Sequence, residues 1–146
     1  MIPLTGMIPF TAFTKPAQRA IDKAKAESRR SKGEKPGDLM MGIVQVSDGV
    51  GGRVLMGLGA TTVTLRSQMV QQAHPLAARE EAKLAFERAT EYAKGTNSSR
   101  IGTHHLLLAL VEESDGTTAR ALAALGIPAE EVKREIDRLL AAGVRE

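Results

Sequence analysis

The chain contains the same pattern of residues twice. Residues 39–65 match residues 106–132 without a gap, at a constant offset of 67 positions. The match preserves the apolar spacing and the turn residues together, for example Ser47-Asp48-Gly49 against Ser114-Asp115-Gly116. Upstream, the apolar positions of residues 17–24 match residues 82–89 at an offset of 65, which places a two-residue difference in the loop near residues 31–36. One supersecondary unit has therefore been duplicated.

The size of the repeat sets the expected architecture. A unit of about 60 residues buries little core alone, so we expect two units to pack together within the 146 residues.

Hydrophobic content of 42% and charged content of 25% are typical of globular proteins. The absence of Cys excludes disulfides and agrees with an expected cytoplasmic location. The longest apolar run, Leu106–Val111, is far too short for a membrane span, and the N-terminus, which lacks basic residues, does not resemble a signal peptide.

Hydrophobic periodicity and turn residues predict an all-α fold. Thr14 and Thr103 are suitable N-caps, Gly59 and Gly126 are suitable left-handed C-caps, and Pro128 suits a helix first turn. We assign residues 1–12 to an extended arm, 13–71 to a first, diverged repeat and 75–142 to a second repeat, the two forming one compact domain. Helices are predicted over 15–31, 36–46, a short segment ending near 58–59, 62–70, 77–94, 103–113, 117–125 and from 128 onwards.

Residues 39–70 have an alternative interpretation as strands. Val44-Gln45-Val46 and the segment 61–65 are rich in β-branched residues, and Gly is frequent nearby. The matching segments of the second unit are clearly helical in pattern. Because duplicated units share a fold, we predict helices in the first unit as well.

Two motifs that resemble a nucleotide-binding loop and a metal site are better explained by structural roles in turns and helix packing. The glycines from Gly49 to Gly59 do not form a dinucleotide loop, because Val54 stands where the third Gly is required, and no Gly-Lys-Ser/Thr tripeptide exists for a phosphate loop. His104 and His105 point about 100° apart on a helix and have no further ligand at suitable spacing, so we predict no metal site. One of them should pack or bond near the helix start while the other faces solvent. No catalytic set is recognisable, and we predict a binding module rather than a small helical enzyme.

Several segments resemble one known repeat. The run Ile101–Leu110, followed by Glu113–Gly116, Ala119–Leu122 and Leu125–Ile127, resembles the Clp N-terminal repeat, which reads Gly-Thr-Glu-His-Leu-Leu-Leu, then Gly-x-Ala-x-x-x-Leu, then Leu-Gly. Phe13-Thr14 is similar to the start of the first helix of that family. The resemblance covers about residues 10–142 and implies two four-helix repeats related by a pseudo-twofold axis.

The resemblance also implies a function. In Clp unfoldases this domain precedes the ATPase rings, receives substrates and adaptors, and performs no chemistry, so no cofactor is implied. The ClpC type, which this sequence resembles most, also recognises phosphorylated arginine. The implied partners are peptides, unfolded or modified proteins, Clp adaptors or the Clp protease machinery, and cyclic-peptide-like small molecules. The chain would be either a stand-alone protein of this kind or a domain of an unfoldase.

The family pattern places a candidate binding site at the junction of the repeats. The family's Glu that pairs with an arginine guanidinium falls at Gly37 and His104, and losing such a charge-assisted bond costs roughly 1.5–3 kcal/mol. The family's Thr is kept at Thr14 and replaced by Arg79 in the second unit, where the second-unit Phe has become Ala78. The residues assigned to the peptide- or adaptor-binding site are Phe10, Phe13, Thr14, Arg79, Lys83, Glu87 and His104.

An uneven charge distribution supports one competing hypothesis. Residues 1–74 hold 10 Lys and Arg against 5 Asp and Glu, whereas residues 75–146 hold 10 against 12. Much of the excess lies between Arg19 and Lys35, which is a candidate surface for nucleic acid or other acidic partners. Low aromatic content, at 3% with no Trp, argues against base stacking, so nucleic acid is the less favoured partner.

Overall fold

The fold is all-helical throughout the part of the chain that is described. The computed structural model describes residues 8–30, 37–71, 78–114 and 116–146, and these ranges contain eight α-helices and no β-strand. The strand interpretation of residues 39–70 is therefore wrong, and the prediction made from the duplication is confirmed. The helices are α1 Lys15–Arg30, α2 Asp38–Val44, α3 Val50–Gly57, α4 Thr62–Gln71, α5 Ala78–Gly95, α6 Thr103–Glu112, α7 Thr117–Ala124 and α8 Ala129–Ala141, preceded by a 3-10 helix over Phe10–Ala12.

The two repeats use the same contacts in exchanged positions. The first helix of each unit packs on the second, as α1 on α2 and α5 on α6. Across the junction, the third helix of each unit contacts the fourth helix of the other, as α3 on α8 and α7 on α4. The second helices of the two units, α2 and α6, contact each other. These contacts follow a pseudo-twofold axis between α2 and α6. The buried residues form one hydrophobic cluster that draws on both units, including Phe13 from the first and Phe86 from the second.

Small residues let the first two helices approach closely. Ala17, Ala20, Ile21 and Ala24 form the buried stripe of α1, as their spacing predicts, whereas Ala26, which the sequence also assigns to the stripe, is exposed. Opposite them lies Gly42 of α2, where an added Cβ would stand only 2.1 Å from the Ala20 carbonyl oxygen. Backbone therefore packs on backbone at this crossing.

Both third helices end at a glycine in the left-handed conformation. Gly59 has φ +91° and Gly126 has φ +79°, so both predicted C-caps are confirmed. The Ala60 amide then donates to the Leu55 carbonyl at 2.8 Å, and the Ile127 amide to Leu122 at 2.9 Å. These are the long-range bonds of a Schellman motif, formed at equivalent positions of the two units.

Helix starts agree less closely with the sequence predictions. The Thr14 hydroxyl accepts a bond from the Ala17 amide at 3.2 Å, which confirms its role as the N-cap of α1. Thr103 is not a cap, because Gly102 holds the N-cap position of α6 and Thr103 is the first helical residue. Pro128 likewise is the N-cap residue of α8 rather than part of its first turn. The predicted helix start at Pro36 and the loop over residues 31–36 lie outside the described residues.

Of the extended arm predicted over residues 1–12, only residues 8–12 are described, and within them Phe10–Ala12 form a 3-10 turn, closed by the Phe13 amide bonding to the Phe10 carbonyl at 3.2 Å. No helix among the described ranges has both the length and the apolar character needed to cross a bilayer.

Candidate functional site at the junction of the repeats

A short backbone pairing joins the starts of the two units. Phe13 and Ile101 form an isolated parallel bridge. The Thr14 amide donates to the Ile101 carbonyl and the Ile101 amide donates to the Ala12 carbonyl, both at 2.9 Å. The bridge holds the beginning of α1 beside the beginning of α6. Two residues assigned to the candidate site from different units, Thr14 and His104, are thereby brought to the same place.

The beginning of α3 completes this arrangement. Gly49 and Gly102 are the N-cap residues of α3 and α6, both in extended backbone conformation, and as glycines they supply no side-chain cap. The Gly51 amide donates to the Thr103 hydroxyl at 2.8 Å, in a buried bond between the two helices. Amides that have no partner within their own helix therefore point into one small region, together with the positive ends of two helix dipoles.

The side chain of Glu146 lies in that region. Its Oε1 accepts bonds from the Thr14 hydroxyl at 2.5 Å and from the Thr103 amide at 2.9 Å. Its Oε2 accepts bonds from the Val50 amide at 2.7 Å and from the Thr103 hydroxyl. One carboxylate thus caps α3 and α6 together and also bonds the residue that caps α1. We call Thr14, Val50, Thr103 and the carboxylate they bind the junction site.

The junction site borders an open cleft of 640 Å³. Three cationic residues line it, Lys15, Arg100 and Arg145, against the two carboxylates of Asp137 and Glu146. The Arg145 guanidinium donates to the carbonyl oxygens of Leu140 and Val144 at 2.8 and 2.9 Å, which fixes the turn that leads to Glu146. The polar donors and the cationic rim suit this region to oxyanions rather than to cations.

The two histidines have different surroundings. His105 is buried, and its Nδ1 accepts a bond from the Gly102 amide at 2.9 Å, so the prediction of one histidine bonded near the helix start is confirmed. His104 is half-buried rather than fully exposed, and its Nδ1 has no hydrogen-bond partner among the described residues. Burial lowers the pKa of His104 even though the Glu146 carboxylate opposes this shift. Both imidazoles are therefore neutral at pH 7, and no cluster of metal-ligating side chains is found in the described ranges.

His105 predicts a pH dependence of stability. Burial, followed by repulsion from His104, lowers its pKa to about 4, against about 6.5 in an unfolded chain. Between these values the unfolded chain binds more protons, so the free energy of unfolding decreases as the pH falls from 6.5 to 4, by up to about 3 kcal/mol. Urea unfolding at pH 7.0, 5.5 and 4.5 measures this. His105→Asn removes the titrating group, and we expect the loss of stability on acidification to be smaller in that variant. Equal losses in both proteins would contradict the assignment.

The other predicted site residues lie in several places. Phe13 is fully buried and packs edge-on against Phe86, with ring centroids 5.7 Å apart, so it supports the bridge from within the core. Phe10 is 38% exposed, and the Lys25 ammonium stands 6.0 Å from its ring centroid. Lys83 and Glu87 are exposed on α5. Arg79 lies in the first turn of α5, and its side chain is outside the described residues.

Glu87 belongs to a second, acidic cleft. It lines a cleft of 690 Å³ together with Arg88, Glu91, Tyr92 and Glu112. Of its lining carboxylates, Glu112 is paired with Lys133 at 2.6 Å, while the lining Arg88 pairs with Glu113 at 3.2 Å. Burial and the Glu112 charge raise the pKa of Tyr92. Since Tyr92 lines both clefts, the junction site and the acidic cleft are neighbours on one surface.

The sequence interpretation missed the contributions of Thr103 and Glu146. The Gly-Thr pair at 102–103 marks a helix start but does not indicate the bond that crosses to α3. Nothing in the local pattern around Glu146 indicates that its carboxylate lies at the beginnings of two distant helices.

Comparisons with known proteins agree with this architecture. Residues 78–146 match the model of the Clp repeat (R) N-terminal domain family. The chain is 25% identical over 140 residues to the negative regulator of genetic competence ClpC/MecB of Bacillus subtilis, and 30% identical over 138 residues to a probable ATP-dependent Clp protease ATP-binding subunit of Chlamydia pneumoniae. These matches cover 90% and 87% of this chain but only 17% and 16% of the relatives, so the chain spans about a sixth of their length.

A solved structure shares the fold. The N-terminal domain of the chaperone ClpD from Arabidopsis thaliana matches with a TM-score of 0.71 over 93% of this chain and 99% of that one, at 22% sequence identity. The match includes the diverged first unit, which lies outside the residues matched by the family model.

Proposed function

Because the second repeat of this chain belongs to the Clp repeat N-terminal domain family and the whole chain has the fold of such a domain, we propose that it is a non-catalytic module that binds substrates or adaptors for Clp machinery. The observation that supports this most directly is the junction site. Thr14 and His104 match ligand-contacting positions of the family, come from different units, and lie at one cleft.

The chemistry of the site favours recognition over reaction. It offers backbone amides, two threonine hydroxyls and a cationic rim, all of which are hydrogen-bond donors toward an anionic group. His105 is a weak base, because burial lowers its pKa to about 4, and its Nδ1 is engaged by the Gly102 amide. Clients that we propose are peptides and unfolded or modified proteins, with Clp adaptors and protease components as further partners.

The replacement of the family's Glu affects the proposed specificity. His104 stands where that carboxylate would pair with a guanidinium, and its lowered pKa keeps it neutral. A neutral imidazole has no charge to attract a guanidinium. We therefore propose that the junction site recognises the anionic part of a ligand, with arginine pairing weakened or lost relative to the family.

Peptide binding can be tested at Phe10 and Lys83. Both side chains are exposed, so we expect Phe10→Ala and Lys83→Ala each to weaken binding of a labelled unfolded client at least about threefold, while the melting temperature stays within about 2 °C. Fluorescence anisotropy gives the affinity and circular dichroism gives the melting temperature.

Each variant has a matched control elsewhere in the protein. Val63→Ala removes another exposed apolar side chain, which is 76% exposed on α4, and Lys94→Ala removes a charge from the other end of α5. Both should bind the client as the parent chain does. If all four variants bind equally well, Phe10 and Lys83 are not part of the client surface.

The nucleic-acid hypothesis receives less support from the structure. Within the candidate basic face, Arg19 pairs with Asp48 and Arg30 lies 3.8 Å from Glu27, so part of its charge is compensated. Binding of duplex DNA with a steep salt dependence would instead favour this second function.

A further inference from the structure

Glu146 occupies the junction site as a ligand would. Its two carboxylate oxygens accept four hydrogen bonds, two from backbone amides and two from threonine hydroxyls. The partners come from α3, α6 and the residue before α1.

Two glycines leave the space that the carboxylate fills. An added Cβ at Gly102 would stand 2.8 Å from the His104 ring and 2.9 Å from Glu146 Oε1, and one at Gly49 would stand 2.8 Å from the Thr103 hydroxyl and 3.2 Å from Oε2. Both residues have negative φ, −96° and −83°, so left-handed backbone does not explain the absence of a side chain. The carboxylate and the side chains that surround it together leave no room for one.

In the second unit, a different carboxylate bonds to the start of the helix that corresponds to α3. At the start of α7, the equivalent of α3, the side chain of Glu81 from α5 bonds to Thr117 and Thr118. Glu81 is 6% exposed, and burial raises its pKa. Its counterpart in the first unit is Pro16, which has no carboxylate. The anion at α3 must therefore come from elsewhere.

The attachment of Glu146 is suited to release. Glu81 is embedded in a long helix, whereas Glu146 is exposed and follows a turn after α8 in which Gly143 has φ +90°. The anchors that precede it are the bond from the Val144 amide to the Leu139 carbonyl at 3.0 Å and the bonds of the Arg145 guanidinium, and all of them can stay in place when the Glu146 side chain leaves the site. Moving Glu146 out of the site breaks its own side-chain bonds without unfolding a helix.

We propose that Glu146 is a built-in competitor at the junction site, and that the carboxylate or phosphate group of a ligand displaces it. This inference rests on the proposed function in taking the junction site as the place where ligands bind. It adds that the site is closed in the free protein and that the group which opens it is an oxyanion. A site that is open about a tenth of the time binds its ligand about tenfold more weakly than a permanently open one.

The test is a titration of the full ¹⁵N-labelled chain with inorganic phosphate and, in a separate arm, with acetate, followed by NMR. The reporters are the amides of Val50 and Thr103. We expect Glu146→Ala to bind phosphate or acetate with a Kd about tenfold lower than the parent chain, and the arm with the larger gain identifies the preferred oxyanion. Glu146→Gln keeps the shape of the side chain without its charge, so its Kd should lie between those of the parent chain and Glu146→Ala.

Asp22→Ala is the matched control, because it removes one exposed negative charge from the middle of α1 and should leave the Kd unchanged. Equal Kd values in the parent chain and both Glu146 variants, or shifts that miss Val50 and Thr103, would overturn the proposal. Anisotropy with the unfolded client separates the two hypotheses. If the Glu146 variants bind oxyanions more tightly but no form of the protein binds the client, only the proposed function is contradicted. If the parent chain and the Glu146 variants bind the client equally well and have the same oxyanion affinity, only this inference is contradicted.

Discussion

Gly42→Ala is expected to destabilise the protein by about 3 kcal/mol, at the upper end of the cost of overpacking a core. The new Cβ would lie 2.1 Å from the Ala20 carbonyl oxygen and 2.9 Å from the Ala24 amide nitrogen. Both obstacles are backbone atoms, so no rotamer change can relieve the clash and α1 must move away from α2. For a chain of this length the melting temperature should fall by about 10 °C, measured by circular dichroism.

Gly57→Ala is the control for this prediction. Gly57 is exposed near the end of α3, and an added Cβ would meet only the Glu135 carboxylate, at 3.8 Å. Replacing a helical glycine where there is room should stabilise the protein by roughly 0.5–1 kcal/mol. If Gly42→Ala melted like Gly57→Ala, the close crossing of α1 and α2 would be wrong.

Phe13→Ala is expected to cost about 3–5 kcal/mol of folding free energy, the range for removing a buried aromatic ring. The Phe13 ring is fully buried and meets Phe86 at 77° between ring planes, so it fills the core where the two units join. Its contact with Phe86 should appear as a coupling of roughly 0.5–1.5 kcal/mol in a double-mutant cycle with Phe86→Ala, measured by equilibrium unfolding in urea.

Phe10→Ala is the matched comparison, three residues away. Its ring is 38% exposed, and its removal should change stability by about 0.5 kcal/mol or less. The sequence assigned both rings to one peptide surface. A small loss of stability in Phe13→Ala would restore that assignment, whereas a large loss would establish Phe13 as a core residue.

The helices and their ends could largely be predicted because the forces that set them are local. The apolar stripe of α1, the Thr14 cap and the glycines at 59 and 126 depend on residues within a few positions of each other. The duplication also resolved residues 39–70, where β-branched residues alone favoured strands. The prediction for Thr103 failed because its hydroxyl bonds to Gly51, a residue of another helix, instead of its own first turn.

The sequence by itself determined that two similar four-helix units exist, where most of their helices begin and end, and which family they resemble. Only the tertiary structure decided what stands at their junction. Glu146 is separated from Thr14 by 132 positions, from Val50 by 96 and from Thr103 by 43, and no periodicity or motif relates such distances. These groups meet because the Phe13–Ile101 bridge and the contacts of α3 with α6 and α8 bring the helix starts together. A carboxylate then binds there because amides without intrahelical partners need an acceptor.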